Sequence, residues 1–173
     1  MTRNARARSA ALARAAAERA AKGLPPKMVR GRKGIWIPGE DKLPLQDIHP
    51  ALYRNEEQEG RALWTLVQAG ALGGVAKRWL FHIPNGGGRS SVIEGAALKA
   101  QGVRKGPSDY LLPVAIGKWH GLWIELKAVD GSPTEEQLEW IVGQRFAGYC
   151  GCFAYGADAA CEAIRLYMQG EMR

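Results

Sequence analysis

The stretch from Gly106 to Lys127 constrains this chain more than any other. A Gly-Pro-Ser segment leads into Asp109, and an apolar run with a glycine-containing turn continues to Trp-Ile-Glu-Leu-Lys at residues 123–127. Side chains alternate along a strand, so Glu125 and Lys127 share one face while the apolar residues beside them face the other way. A carboxylate and an ammonium on an otherwise apolar strand are costly to bury unless they are paired or take part in chemistry.

The carboxylates of Asp109 and Glu125 suit a divalent metal ion. Mg²⁺ prefers oxygen ligands and keeps several waters, so two carboxylates on neighbouring strands suffice as anchors, with the Leu126 carbonyl as a third ligand. Such an ion would lower the pKa of an attacking water in phosphodiester hydrolysis, and Lys127 would orient the water or stabilise the developing charge. The alternative is a cross-strand salt bridge on a half-exposed sheet face.

A fourth group is expected from a helix over 56–69. Its apolar residues fall on one stripe, and Glu56 and Glu59 lie seven and four residues before Leu63, near the buried side of the first turns. Either acid would hold the water or a second metal. The alternative is that both acids only interact favourably with the helix dipole.

The remaining pattern predicts an α/β domain with helices and strands in the order α-β-(α)-β-β-α-β-α. A Ser/Thr-rich cap followed by early acids begins one helix near Thr134, and this helix runs to about Ala147. Further helices are expected over 91–101 and 157–168. The four predicted strands are Trp79–Ile83, Tyr110–Val114, Trp119–Ala128 and Tyr149–Tyr155.

The positive charge is concentrated at the N-terminus. Residues 1–34 carry ten Lys/Arg and one Glu, whereas the whole chain has a net charge of +7, so the rest sums to −2. The sequence predicts a flexible basic arm (1–34), a Pro/Gly-rich lead-in (35–50) and one compact domain (51–173). A basic arm favours a polyanionic partner, nucleic acid first and an anionic membrane surface second. The alternative is a solvated tail without a partner.

Other residues indicate an intracellular, cytoplasmic protein without a membrane span. No apolar run reaches the roughly 20 residues of a membrane helix. The three cysteines are odd in number, and we expect buried reduced thiols rather than a zinc site. Four tryptophans are interpreted as core residues: Trp64, Trp79, Trp123 and Trp140.

Five segments carry a family resemblance: Asn85–Arg89, Gly95–Val103, Gly106–Leu111, Ile124–Lys127 and Ser132–Trp140. Together they resemble the VRR-NUC domain, the virus-type replication-repair nuclease branch of the PD-(D/E)xK superfamily. The resemblance covers roughly 56–155 and leaves out the basic arm. One departure concerns the residue before the aspartate, where the family has proline and this chain has Ser108 after Pro107.

The resemblance implies a restriction-endonuclease-like core, with a mixed four-stranded sheet flanked by helices, and Mg²⁺- or Mn²⁺-dependent cleavage of DNA. It implies metal ligation by Asp109 and Glu125 and a catalytic role for Lys127. Gln137 matches the glutamine that begins the following helix. Glu56 is preferred as the helix acid because the family's glutamate lies seven residues before the matched leucine, and Glu59 stays open.

DNA contacts are expected from residues around this site. The glycines of Asn85–Arg89 permit close approach of a DNA backbone, with Asn85 beside it and Arg89 as a phosphate contact; a plain flexible turn is the alternative. Lys99, Arg104 and Lys105 flank the site and would meet phosphates, which position DNA without reading its sequence.

The expected function is cleavage of branched DNA in a bacterial or phage-infected cell. Stand-alone domains of this branch resemble Holliday-junction resolvases, which act as homodimers because two strands are cut across a two-fold axis. One alternative is a DNA-binding module with an inactive nuclease-like site. Another is an RNA-directed binding protein, for which removal of residues 1–30 would abolish binding.

Overall fold

Strands β5 (Leu122–Lys127) and β6 (Cys150–Tyr155) form the centre of the fold, since every residue of both is buried. The computed structural model describes residues 32–38, 46–47, 54–84, 100–102 and 106–172. β5 and β6 pair in parallel, with Lys127 opposite Tyr155. A parallel pair needs a crossover connection, which helix α3 (Glu135–Phe146) supplies.

Antiparallel strands extend this pair on both sides. β4 (Tyr110–Leu112) pairs with β5, and β3 (Phe81–His82) pairs with β4. On the other side β1 (Arg32–Trp36) pairs with β6, and β2 (Gln46–Asp47) adds a two-residue pairing to β1. The strand order is therefore β2-β1-β6-β5-β4-β3.

The prediction of a four-stranded sheet is wrong in its strand count, because β1 and β2 belong to the same sheet. Ile35 and Trp36 are buried, and the Trp36 ring stacks on Phe153 with ring centroids 4.9 Å apart. Without β1 the fully buried strand β6 would be a sheet edge with unpaired backbone groups. That pairing depends on residues more than 100 positions away, so local sequence pattern does not reveal it.

Helices cover both faces of the sheet. α1 (Glu56–Gln68) and α4 (Ala157–Met168) share one apolar cluster with the inner side chains of β5, including Ile124 and Leu126. α3 covers the opposite face, where Ile141 packs with Trp123 and Phe153. α2 (Gly73–Trp79) contributes Ala76 to the first cluster.

Several element boundaries differ from the prediction. α2 was not predicted, since it has only seven residues and begins with two glycines. Because α2 ends at Trp79, the strand expected over 79–83 is shortened to β3. Trp119 lies in a turn bridged to Ile116, and β5 begins at Leu122. The expected helix over 91–101 lies largely outside the described residues, as do residues 1–31 of the basic arm.

Two further observations concern expectations from composition. None of the helices in the described ranges combines the length and the apolar character needed to cross a membrane. Cys150, Cys152 and Cys161 are buried thiols.

Candidate active site

Glu125 and Lys127 lie at the carboxyl end of β5 and point to the same side of the sheet. Both are buried, with exposed fractions of 1% and 4%. The Lys127 ammonium lies 3.1 Å from Glu125 Oε1. A charged pair this deep is expensive unless further polar partners complete it.

Asp109 completes the acidic part of the site from the adjacent strand. It directly precedes β4, and the antiparallel register that pairs Tyr110 with Ile124 continues to place Asp109 opposite Glu125. Asp109 Oδ2 accepts a hydrogen bond from the Leu126 N–H at 3.0 Å. This bond holds the aspartate against the strand that carries Glu125.

Gln137 reaches Glu125 from the start of α3. Thr134 caps this helix in a capping box: its hydroxyl accepts from the Gln137 N–H, and the Gln137 side-chain oxygen accepts from the Thr134 N–H. The amide nitrogen of Gln137 is thereby directed away from the box, and it donates to Glu125 Oε1. The cap that begins α3 therefore also positions a site residue.

Glu56 reaches the site from the first turn of α1. Its Oε1 accepts a hydrogen bond from Lys127 Nζ at 3.2 Å, and its side chain is about half exposed. Asn55 and Gln58 form a capping box that fixes this end of the helix. Lys127 is thus held between two carboxylates, one from its own strand and one from α1.

Glu59 has a different partner, although it is only three residues from Glu56. Its buried carboxylate accepts from the backbone N–H of Ala157, at 2.8 Å, at the start of α4. The preceding residue, Gly156, has φ of +91° and provides no side-chain cap. Glu59 supplies that missing cap and favourable charge at the helix N-terminus.

Burial dominates the electrostatics of the carboxylates. Desolvation, with the charge of Asp109 next in size, raises the pKa of Glu125 to about 8, and the Lys127 ammonium only partly opposes this. Desolvation also raises the pKa of Asp109, against the lowering effects of Lys127 and the Leu126 N–H. For Lys127 burial lowers the pKa, but the negative charges of Glu125 and Glu56 outweigh it and the net direction is upward. The group as a whole carries more negative charge than one ammonium balances.

One oxygen of Glu125 is left for a further partner. Both Lys127 and Gln137 bond to Oε1, whereas Oε2 is buried without a hydrogen-bond partner among the described residues. Buried polar atoms are rarely left unsatisfied, so a partner beyond the described residues is expected for this oxygen. The described residues contain no cluster of three or more His, Cys, Asp or Glu side chains arranged around a metal. Two carboxylates and a carbonyl are nevertheless sufficient for Mg²⁺, which retains waters.

These residues line a cleft of about 1140 Å³. Its lining includes Asp109, Glu125, Lys127 and Gln137, together with residues of α1. Several residues of the cleft lining were not predicted as site residues, among them Arg61, Trp64 and His82. His82 packs its ring against Tyr110 with centroids 5.1 Å apart, and its charge lowers the Asp109 pKa slightly. Nothing in the local sequence marks these residues, because only the packing of α1 and β3 brings them to the cleft.

The expected DNA contacts cannot be placed relative to the cleft. Asn85, Arg89, Lys99, Arg104 and Lys105 all lie outside the described residues. They stay predictions from the sequence.

Comparison with solved structures identifies the architecture. The chain is similar to a protein described as a VRR_NUC domain protein, with a TM-score of 0.58 and 23% identity, over 70% of this chain and 98% of that one. This chain has the fold of a VRR-NUC domain. Its mixed sheet with helices on both faces is a restriction-endonuclease-like core, as the resemblance implied. Within the VRR-NUC fold, the segments Gly106–Leu111 and Ile124–Lys127 contribute Asp109, Glu125 and Lys127 to the cleft.

At this level of identity the likeness establishes the fold and leaves the activity to the site itself. No protein-family model and no curated protein matches the chain.

Proposed function

We propose that this protein is a metal-dependent DNA endonuclease that hydrolyses phosphodiester bonds. The observation that carries the proposal is the buried, unsatisfied Oε2 of Glu125, opposite Asp109 and beside Lys127 in an open cleft. A salt bridge between Glu125 and Lys127 uses Oε1 and gives Oε2 no role, whereas a bound cation would use it. A buried carboxylate oxygen without a hydrogen-bond partner at the edge of a cleft is better explained by a bound cation.

Asp109, Glu125 and the Leu126 carbonyl would hold Mg²⁺ or Mn²⁺. All three are oxygen donors, as these hard cations prefer, and the hydrogen bond from Leu126 N–H to Asp109 keeps the two residues adjacent. When bound, the cation would neutralise charge on the scissile phosphate and lower the pKa of water. It would also return Glu125 to its charged form, because a cation opposes the desolvation that raises its pKa.

The other polar residues position these groups. Gln137 and Lys127 bind Oε1 of Glu125, which fixes the carboxylate with Oε2 available. Lys127, held by Glu56 as well, keeps its ammonium where it would orient a water or stabilise negative charge developing on the phosphate. We assign Glu56 rather than Glu59 as the helix acid, since Glu59 is occupied at α4.

We further propose that the substrate is branched DNA and that the enzyme acts as a homodimer, as a Holliday-junction resolvase does. The support is the resemblance of the sequence to stand-alone VRR-NUC domains and the need to cut two strands related by a two-fold axis. Sedimentation velocity at micromolar concentration tests the assembly: a single species of about 38 kDa, twice the 18.8 kDa of the chain, is expected. A monomer at all concentrations, with or without junction DNA, would contradict the dimer.

The activity is tested by incubating junction, flap and linear DNA with Mg²⁺, Mn²⁺ or EDTA. Cleavage is expected with either metal and none in EDTA. Asp109→Asn and Glu125→Gln should each lower the rate at least about a hundredfold. Glu139→Gln is the matched control, because this glutamate is exposed on α3 and outside the cleft lining.

Mn²⁺ binding separates catalysis from simple DNA binding. Titration calorimetry should detect Mn²⁺ binding to the wild-type protein and not to Glu125→Gln. A protein that binds DNA but neither binds Mn²⁺ nor cuts would instead be the inactive DNA-binding module.

A further inference from the structure

One face of α1 forms a wall of the cleft and has no assigned role. Its residues recur at helical spacing, three or four apart, and so lie on one side of the helix: Glu57, Gly60, Arg61, Trp64 and Thr65. Leu63 and Val67 face the core instead and are fully buried. These residues therefore lie away from Leu63 and Val67, although Gly60 still borders Tyr110, and they line the same cleft as Asp109 and Glu125.

Trp64 is the large aromatic side chain of this wall. It is 39% exposed, whereas Trp123 is 9% exposed and belongs to the core. The expectation of a core position is therefore wrong for Trp64, and it is also wrong for Trp79, which is 50% exposed. A partly exposed indole in a concave site offers a flat apolar surface to a ligand.

The charge of the wall favours a neutral ligand. Arg61 pairs with Glu57 at 2.6 Å, so the two charges on this helix face cancel each other. The net charge of this pair is zero, so this part of α1 does not by itself attract a phosphate. A nucleobase is uncharged and planar, and it stacks on an aromatic side chain whatever its identity.

From this arrangement we infer that Trp64 stacks on an unpaired base adjacent to the phosphate held at Asp109 and Glu125. The inference rests on the proposed function and narrows its substrate to DNA with an unpaired nucleotide at the cleavage position. A base inside a duplex is already stacked on both sides, so only one released at a branch point, flap or frayed end can occupy the wall. Trp64 is on this view a specificity residue, which acts on the base and not on the reacting phosphate.

Binding without cleavage tests the inference. Fluorescein-labelled DNA with two splayed single-stranded arms is titrated with the protein in the presence of Ca²⁺, and the dissociation constant is measured. Ca²⁺ takes the same oxygen ligands as Mg²⁺. Gel electrophoresis checks that the probe stays intact. A second probe has abasic sites in both arms next to the junction. Wild-type protein should bind the abasic probe about tenfold more weakly.

Substitution of Trp64 should weaken binding of the normal probe as the abasic sites do, and it should remove the difference between the two probes. Trp64→Ala should bind the normal probe about tenfold more weakly and should no longer distinguish the two probes. Trp64→Phe keeps a ring and should retain most of the discrimination. Trp79→Ala is the matched control, because Trp79 is 50% exposed but lies outside the cleft lining.

The outcomes of these binding and cleavage experiments decide the matter. Equal weakening of both probes by Trp64→Ala, or wild-type protein that binds them equally, overturns the inference; the wild-type comparison holds even if Trp64→Ala does not fold. The inference is supported if Trp64→Ala no longer discriminates between the two probes while Trp79→Ala still does. If no metal gives cleavage but the discrimination persists, the nuclease proposal fails and the stacking role stands.

Discussion

Glu56 and Glu59 lie on the same turn of α1, yet their carboxylates reach different partners. Glu56 binds Lys127 at the cleft, and Glu59 binds the N–H of Ala157 at the start of α4. Sequence spacing places both near the buried side of the helix and does not separate them. The partner of Glu59, Ala157, is 98 residues away in the sequence. Gly156, which directly precedes Ala157, gives only an indirect sign that α4 lacks a side-chain cap of its own.

Alanine substitution should separate the two roles. Glu59→Ala removes a buried charged acceptor and should lower the free energy of unfolding by about 1–3 kcal/mol, with cleavage at 20 °C within about twofold of wild type. Glu56→Ala removes a half-exposed side chain and should leave stability nearly unchanged while slowing cleavage about tenfold or more. Urea denaturation and single-turnover cleavage of the same samples measure both quantities. The reverse pattern would make Glu59 the site acid.

The raised pKa of Glu125 predicts how stability depends on pH in the metal-free protein. The pKa is about 8 in the folded state against an ordinary value of 4.5, so between these values the folded protein binds more protons than the unfolded chain. The free energy of unfolding should therefore fall as pH rises from about 5 to about 8, by on the order of 3 kcal/mol. Asp109 shifts in the same direction.

Glu125→Gln isolates this contribution, because the amide has no charge to desolvate. Urea denaturation in EDTA at several pH values should give a flatter profile for the variant than for wild type. Saturating Mg²⁺ should flatten the wild-type profile as well, since the cation stabilises the charged form. Parallel profiles for the two metal-free proteins would show that Glu125 is not destabilised by burial.

At the scale of elements, α3 joins stability to the site through its capping box. Thr134→Ala removes the acceptor for the Gln137 N–H and should lower the free energy of unfolding by about 1 kcal/mol. Because the same box orients the Gln137 amide toward Glu125, cleavage should also slow several-fold at temperatures where the protein is folded. Thr134→Ser keeps the hydroxyl and should restore both. A variant that loses stability but cleaves at the wild-type rate would separate the cap from the site.

The sequence predicted some elements well, for reasons specific to each. α3 has a Thr cap with Gln three residues later, and α4 has a strong apolar stripe, so both begin and end within about two residues of the expected positions. α2 lacks both signals and begins with Gly73 and Gly74. β1 contains Ile35 and Trp36 of the apolar run Ile35–Ile37, but whether such a run pairs with a sheet depends on which edge the rest of the chain leaves open.

At the scale of the whole molecule, the site is assembled from four separate segments. Glu56, Asp109, Glu125 and Gln137 meet because α1 and α3 cover opposite faces of the sheet and both begin at the carboxyl end of β5. Strand alternation predicts the Glu125–Lys127 pair from sequence alone. The prediction that both helices reach the site came from the family resemblance. Periodicity predicts which face of a helix is buried, but it does not predict which end of the helix lies next to which strand.

Substitution of Trp36 should show that β1 is part of the stable fold. Trp36 is 5% exposed and stacks on Phe153, so Trp36→Ala should lower the free energy of unfolding by about 3–5 kcal/mol. Trp79→Ala, at a half-exposed position, should change it by less than about 1 kcal/mol. Thermal and urea denaturation of both variants measure the difference. Equal small effects would mean that β1 packs too weakly to belong to the core.

The last prediction concerns the positive charge of the basic arm. Residues 1–31 carry eight Lys/Arg and one Glu, so their removal takes the net charge from +7 to zero. Nucleic-acid binding by such residues releases counterions and therefore weakens steeply with salt. Deleting residues 1–31 should leave the unfolding transition unchanged, because β1 begins at Arg32.

The same deletion should weaken DNA binding at 50 mM salt and make the log–log salt dependence shallower by about 4, if half of the eight cations contact phosphates. Cleavage at saturating DNA should stay within about twofold, since Asp109, Glu125 and Lys127 lie in the folded domain. Titrations in Ca²⁺ between 50 and 200 mM salt give the slope, and competition with single-stranded RNA tests the partner. An unchanged slope would make the arm a solvated tail. RNA that competes as well as DNA for the full chain, but not for the truncated one, would assign the arm to RNA.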